Sequence, residues 1–125
     1  MARDKSSEKP LVWLRGEIKT PPFSSEARTE TGFLLRRLQR GDALGLPVSR
    51  PMPDIRPNCH ELRIVDGTAN WRIVYHIAAD AVVVLDVFAK KTAATPKTVM
   101  ADCGRRLVVF QKIVSDKTGV RDARR

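Results

Sequence analysis

Conventional catalytic equipment is scarce in this chain. It holds two cysteines, two histidines and one tyrosine. Cys59 and Cys103 form no CxxC pair, and no His/Cys cluster has zinc spacing, which excludes the familiar zinc modules. Two free thiols in a reducing cytosol is the reading; a disulfide between them is the alternative. There is no P-loop, dinucleotide fingerprint or nucleophile elbow. No paired Asp/Glu constellation argues for metal-dependent hydrolysis. Neither metal nor small-molecule cofactor is expected. Long apolar runs are also missing. The longest, Ala81 to Ala89, is interrupted by Asp86 and is far too short to span a bilayer. Met1 to Pro10 is polar and lacks the apolar core of a signal peptide. A cytoplasmic protein without membrane contact is expected.

Acidic residues are outnumbered. Lys and Arg total 23 against 14 Asp and Glu, a formal net charge of +9 in 125 residues. Such a balance attracts polyanions over long range. It suits nucleic acid, an anionic membrane or an acidic protein, and composition does not choose among them. The length indicates one domain, able to bury roughly two-thirds of the surface its unfolded chain exposes. It needs no disulfide or metal to stay folded.

Taken in order, Met1 to Pro10 reads as a disordered lead-in, residues 11–114 as the domain and 115–125 as a polar, fraying tail. Leu11-Val12-Trp13-Leu14 begins a first strand, running to about Ile18. A helix follows, capped by Thr20 with Pro21 in its first turn, or equally by Ser24 or Ser25. Ala27, Thr31, Leu34, Leu35 and Leu38 keep helical spacing, and Gly41 is a suitable stop. Gly32 inside this helix marks a bend or break. Arg28, Arg36, Arg37 and Arg40 occupy its other face, which is either simply solvated or a ribosomal or partner contact. Asp42 to Asn58 carries Pro47, Pro51, Pro53 and Pro57 and reads as a long irregular connection.

Cys59 to Val65 and Trp71 to Ala78 read as strands joined at Asp66-Gly67-Thr68-Ala69-Asn70, which is hairpin chemistry. Ala81 to Phe88 is nearly continuous apolar, as expected of a central strand buried on both sides. Thr95 caps a last helix with Pro96 in its first turn; Val99, Cys103, Leu107, Phe110 and Val114 recur along it. The order β-α-β-β-β-α gives an α+β domain: a small, mainly antiparallel sheet of about four strands, packed on one face by helices.

Alternation within the hairpin makes the functional argument. Leu62 and Ile64 share the face of Ile73, Tyr75 and Ile77. Glu61, Arg63, Arg72 and His76 then point the other way. Arg63 and Arg72 can reach one ligand on that open face, with Lys90 and Lys91 near its edge. Guanidinium groups grip phosphate bidentately, and lysine adds a mobile charge. Such a group can hold a scissile phosphate and stabilise its transition state. RNA is the anion this favours. The competing reading is a surface Glu61–Arg72 pair worth about 0–1 kcal/mol. His60 falls on the core face. His76 is the better proton-transfer candidate. Arg72→Ala is expected to abolish activity with the fold retained, because Arg72 is not read as core.

Cys59-His60-Glu61-Leu62-Arg63-Ile64, then Trp71-Arg72-Ile73-Val74-Tyr75, then Phe88-Ala89-Lys90-Lys91-Thr92 with Thr95-Pro96 resemble the RelE/ParE toxin superfamily. Pro21-Pro22-Phe23 and Ser49-Arg50-Pro51-Met52-Pro53 add to the likeness, which is strongest to the phage-derived, HigB-like branch. It covers roughly residues 11–112. The resemblance implies a RelE-like fold and the toxin of a type II toxin–antitoxin pair. It implies a metal-independent endoribonuclease that cuts mRNA on the ribosome, the 2′-hydroxyl attacking the adjacent phosphate. Carried over by position, Arg63, Arg72 and Lys90 serve catalysis with His76, one lysine or His76 moving the proton. Lys91 is expected to hold phosphate, and Arg36, Arg37 and Arg40 to contact RNA. A small helix-turn-helix antitoxin is the implied partner, wrapping the basic helix and the proline loop. One departure stands out: the C-terminal Tyr on which some relatives stack a base is absent here, so either Trp71 or an RNA base replaces it, or activity is weaker. Two other functions compete, a ParE-like DNA gyrase poison and a non-enzymatic phage-derived binder.

Overall fold

The computed structural model describes residues 8–91 and 94–122. Most of the lead-in, Thr92 and the last three residues of the tail lie outside the described residues. Along the chain run β1 (Leu11–Trp13), α1 (Ser25–Gln39), β2 (Ser49–Pro51), β3 (Cys59–Asp66), β4 (Ala69–Ile77), β5 (Val82–Ala89) and α2 (Lys97–Asp122). The strands form one sheet in the order β1-β5-β4-β3-β2. Only β1 pairs in parallel, with β5; the other three pairings are antiparallel. The α+β class and the mainly antiparallel sheet agree with expectation, the element order does so but for one added strand, and the arrangement is consistent with a small RelE-like fold. The fifth strand is β2, a three-residue edge strand within the proline loop.

Local chemistry explains the boundaries. Ser24 caps α1, its hydroxyl accepting the Ala27 N–H at 3.0 Å. Gly41 ends it at φ +96°, where a side chain would be strained. The helix runs unbroken through Gly32. Asp66 pairs with Ala69 across a two-residue turn, and Gly67 there takes φ +61°. The first strand is shorter than expected, ending at Trp13. Glu8 to Pro10, assigned to the lead-in, are tied down. Lys9 donates its N–H to the Gln39 carbonyl at 2.8 Å, and the Val82 N–H bonds the Pro10 carbonyl at 2.9 Å.

The helices do not share a face. On one side α1 and Phe23 bring Phe23, Ala27, Leu34, Leu35 and Leu38 against Leu62, Ile64, Trp71, Ile73, Tyr75, Val82 and Val84. Phe23 stacks on Trp71 at 4.1 Å between ring centroids, worth about 1 kcal/mol beyond burial. On the other side Cys103 and Leu107 of α2, with Met52 and Ile55, pack on Cys59, Val74, Val83 and Leu85. The expectation of helices on one face is therefore corrected. β5 required it: Val82 and Val84 face α1 while Val83 and Leu85 face α2, so its apolar run needs cover on both sides. β3 and β4 divide their second face along its length. The Cys59 end is apolar and covered; the Arg63 end is polar. Beyond Ser115, read as fraying tail, α2 continues to Asp122.

Candidate functional site

The pairing of the strands brings the cations together. Arg63 lies opposite Arg72 in the β3–β4 ladder, and Arg72 opposite Phe88 in the β4–β5 ladder. One row along, Arg50 of β2 faces Glu61 of β3. The Lys90 N–H bonds the Asn70 carbonyl at 2.7 Å, which fixes the start of the segment after β5. Arg50, Arg63, Arg72 and Lys90 thus surround Glu61 at one end of the face that α2 leaves free. Beside them a cleft of about 330 Å³ is lined by Arg50, Met52, Thr95 and Met100, among others.

Glu61 and Arg72 are the anchor. Glu61 is 1% exposed and Arg72 7%. Arg72 Nε lies 3.6 Å from Glu61 Oε1, an ion pair too long to be a hydrogen bond. Arg72 Nη1–H donates to the Trp71 carbonyl at 3.0 Å. The Thr95 hydroxyl donates to Glu61 Oε2. The Glu61–Arg72 pair is therefore not the surface bridge weighed from the sequence. Arg72 Nε is left without a hydrogen-bond partner among the described residues, although it is buried. A buried donor without an acceptor is costly.

The electrostatics follow the packing. Burial lowers the Arg72 pKa; Glu61 opposes this and Arg63 adds to it. The guanidinium stays charged at any working pH. Lys90 is also held below the usual lysine range, first by burial and then by Arg72, with Glu61 opposing and Arg63 and Arg50 adding to the push. A depressed lysine is a better proton acceptor near neutrality than an ordinary one.

Of the residues named from the sequence, Arg63, Arg72 and Lys90 converge, with the exposed Lys91 adjoining. His76 does not join them. It lies four residues along β4 from Arg72, roughly 13 Å away at the strand rise. It is 7% exposed beneath the α2 side, with its Nδ1 3.7 Å from Cys59 Sγ. Burial lowers its pKa, the Pro57 contact opposing and Arg56 and His60 adding. Arg36, Arg37 and Arg40 sit on α1, across the sheet from the cluster. Arg37 pairs with Asp42 at 3.2 Å and Arg40 with Glu8 at 3.7 Å. Trp71 is buried on Phe23 and cannot stack a base at the cluster. His60 stacks on Tyr75 at 5.2 Å. Tyr75 is buried too, its hydroxyl 2.6 Å from that of Ser49. Both cysteines are free and buried, and burial pushes Cys59 up to about 11 and Cys103 to about 12, which makes them poor nucleophiles.

Three participants were missed. Arg50 was hidden in a loop whose prolines mask the edge strand β2. Glu61 was placed at the surface. Thr95 was read as a helix cap, yet its hydroxyl serves Glu61, and the first α2 bond runs from the Met100 N–H to the Pro96 carbonyl. The Glu61-Leu62-Arg63 alternation carried a signal for Glu61, since a carboxylate inside a strand of a packed sheet needs a partner.

Among the described residues no helix is long and apolar enough to cross a membrane, and no group of three or more His, Cys, Asp or Glu is placed to hold a metal. No curated protein matches the chain. Residues 21–108, more than half of it and including every member of the cluster, match the family described as phage derived protein Gp49-like (DUF891), so the chain belongs to this phage-derived family, one of the RelE-like toxin families.

Proposed function

We propose that this protein is the toxin of a type II toxin–antitoxin system, in the HigB-like branch, and cuts mRNA on the ribosome. The observation that carries the reading is the buried Arg72 Nε, without a hydrogen-bond partner among the described residues, beside Arg63, Arg50 and Lys90. A phosphate would satisfy it. Arg63 and Arg50 would hold the same phosphate from the rim and offset the negative charge that grows in the transition state. The RNA 2′-oxygen forms a bond to phosphorus while the bond to the 5′-oxygen breaks, leaving a cyclic phosphate and a 5′-oxyanion that takes a proton from water to become the hydroxyl. Lys90 is the group we assign to accept the 2′-hydroxyl proton. His76, too distant and covered, is released from that role. A helix-turn-helix antitoxin remains the proposed partner. The net charge of +9 favours an acidic one, and exposed Val108, Val109 and Ile113 on α2 offer it apolar surface.

The test is a defined mRNA incubated with purified protein, with and without translating ribosomes, and its 5′ ends mapped. Codon-phased cuts that need ribosomes and vanish in Arg63→Gln/Lys90→Gln are expected. No cuts in either condition would sink the nuclease reading and send attention to gyrase supercoiling.

A further inference from the structure

A second surface, on the opposite side of the sheet, sets an exposed aromatic ring beside two arginines. β1 is an edge strand, and its Trp13 remains 41% exposed on the α1 side. A cleft of about 260 Å³ runs between that strand and α1, lined by Trp13, Ile18, Leu35, Gly32, Arg28 and Arg36 among others. Arg28, Gly32 and Arg36 are spaced i, i+4, i+8, so they form one stripe with the glycine between the arginines. The arginines stand roughly 12 Å apart along the helix. Among the described residues neither takes part in an ion pair, unlike Arg37 and Arg40.

Gly32 is the telling residue. Glycine weakens a helix interior relative to alanine. Its backbone is not left-handed, and a Cβ built on it would meet nothing within 4 Å. Neither strain nor crowding at the helix demands glycine. What its missing side chain does is keep the cleft open beside Trp13.

We infer that this cleft binds single-stranded nucleic acid, one base stacking on Trp13 while Arg28 and Arg36 take the phosphates on either side. An exposed aromatic beside unpaired guanidinium groups is the chemistry by which such strands are held without sequence preference. The site is separate from the Arg63/Arg72 cluster and stands whether or not that cluster cuts RNA.

The test uses tryptophan fluorescence, because the only other tryptophan, Trp71, is buried on Phe23. The full chain carrying Arg63→Gln/Lys90→Gln is titrated with a single-stranded heptamer as RNA or DNA, with inorganic polyphosphate and with polyglutamate. Quenching by an oligonucleotide, not matched by either control, is expected. Gly32→Leu should raise the thermal midpoint, as a better helix former at an exposed position, yet weaken the oligonucleotide at least about fivefold. Arg28→Gln/Arg36→Gln should flatten the salt dependence as well as the affinity. Equal quenching by polyphosphate or polyglutamate, no quenching by either oligonucleotide, or unchanged affinity in Gly32→Leu would overturn the proposal.

Discussion

Removing the Arg72 side chain would leave Glu61 buried, with the Thr95 hydroxyl and the nearby charge of Lys90 to meet its own. Stripping one partner from a buried pair costs 3–5 kcal/mol as a rule; with Lys90 remaining, about 3 kcal/mol is expected for Arg72→Ala. The expectation that this variant keeps its fold is therefore withdrawn. Arg63→Gln removes a half-buried cation with no ion-pair partner among the described residues, and should cost under about 0.5 kcal/mol. Urea denaturation of both variants checks the contrast, and the double variant Glu61→Leu/Arg72→Leu should recover most of the loss. The buried histidines give a separate test. His60 and His76 both have folded pKa values below 6.5, chiefly because burial disfavours their charged forms. Below about pH 6.5 the unfolded chain then binds more protons than the folded one, so stability falls as acid is added and is fully present above that pH. Asp66, lowered by the Ser24 contacts, acts only beneath its ordinary 3.8, in a different window. The thermal midpoint should drop between pH 7 and 5.5, and His76→Gln should flatten much of that slope. An unchanged slope would mean that His76 is hydrated in solution.

At the scale of elements, the site reaches the α2 end of the chain at Thr95, two residues before the helix starts at Lys97. α2 has no acidic side chain in its first turn, and the Thr95 hydroxyl is committed to Glu61. A carboxylate in the sheet thus holds the residue two positions ahead of the helix. Thr95→Val keeps the shape and deletes that bond. A hydrogen bond to a charged group is worth about 1.5–3 kcal/mol, so a loss near 2 kcal/mol is expected, with amide exchange rising first in the opening turn of α2. Exchange that rises evenly along the chain would put the bond's role elsewhere. Elements with a strong local pattern were legible in the sequence: the hairpin from its turn residues, β5 from its apolar run, α1 from its 3.6-residue spacing. β2 was not, because three residues among four prolines carry no period. The placement of α2 was not either. Amphipathic spacing states that a helix has a face to bury but not which side of a sheet receives it. The juxtaposition of Arg63 and Arg72 was legible because strand alternation fixes a face, and the nearness of Lys90 because it follows directly on β5. The burial of Glu61 and Arg72, and the distance of His76, depend on what covers that face, which only the packing decides.

The whole molecule is basic on both sides of one sheet, and this separates binding from chemistry. Arg50, Arg63, Arg72 and Lys90 stand on the α2 side; Arg28, Arg36, Arg37 and Arg40 stand on α1, across the core. With a net charge of +9 the protein should bind any polyanion at low salt, so affinity alone does not report the site. Each phosphate-binding cation removed should lower the slope of log affinity against log salt by about 1, wherever it sits. Cleavage should behave differently, because a transition state feels only the cations around the scissile phosphate. Arg63→Gln and Lys90→Gln should each reduce cleavage at least about a hundredfold, the size typical of a lost electrostatic or proton-transfer group. Arg37→Gln/Arg40→Gln, which removes two charges tied to Asp42 and Glu8 on the far side, should leave single-turnover cleavage within about threefold at saturating ribosomes, while shifting the salt slope. The comparison is made at one ionic strength with both variants folded. If the α1 pair lowered cleavage as much as the sheet pair, the chemistry would not reside on the β3–β4 face, since no single phosphate can touch cations on both sides of a filled core.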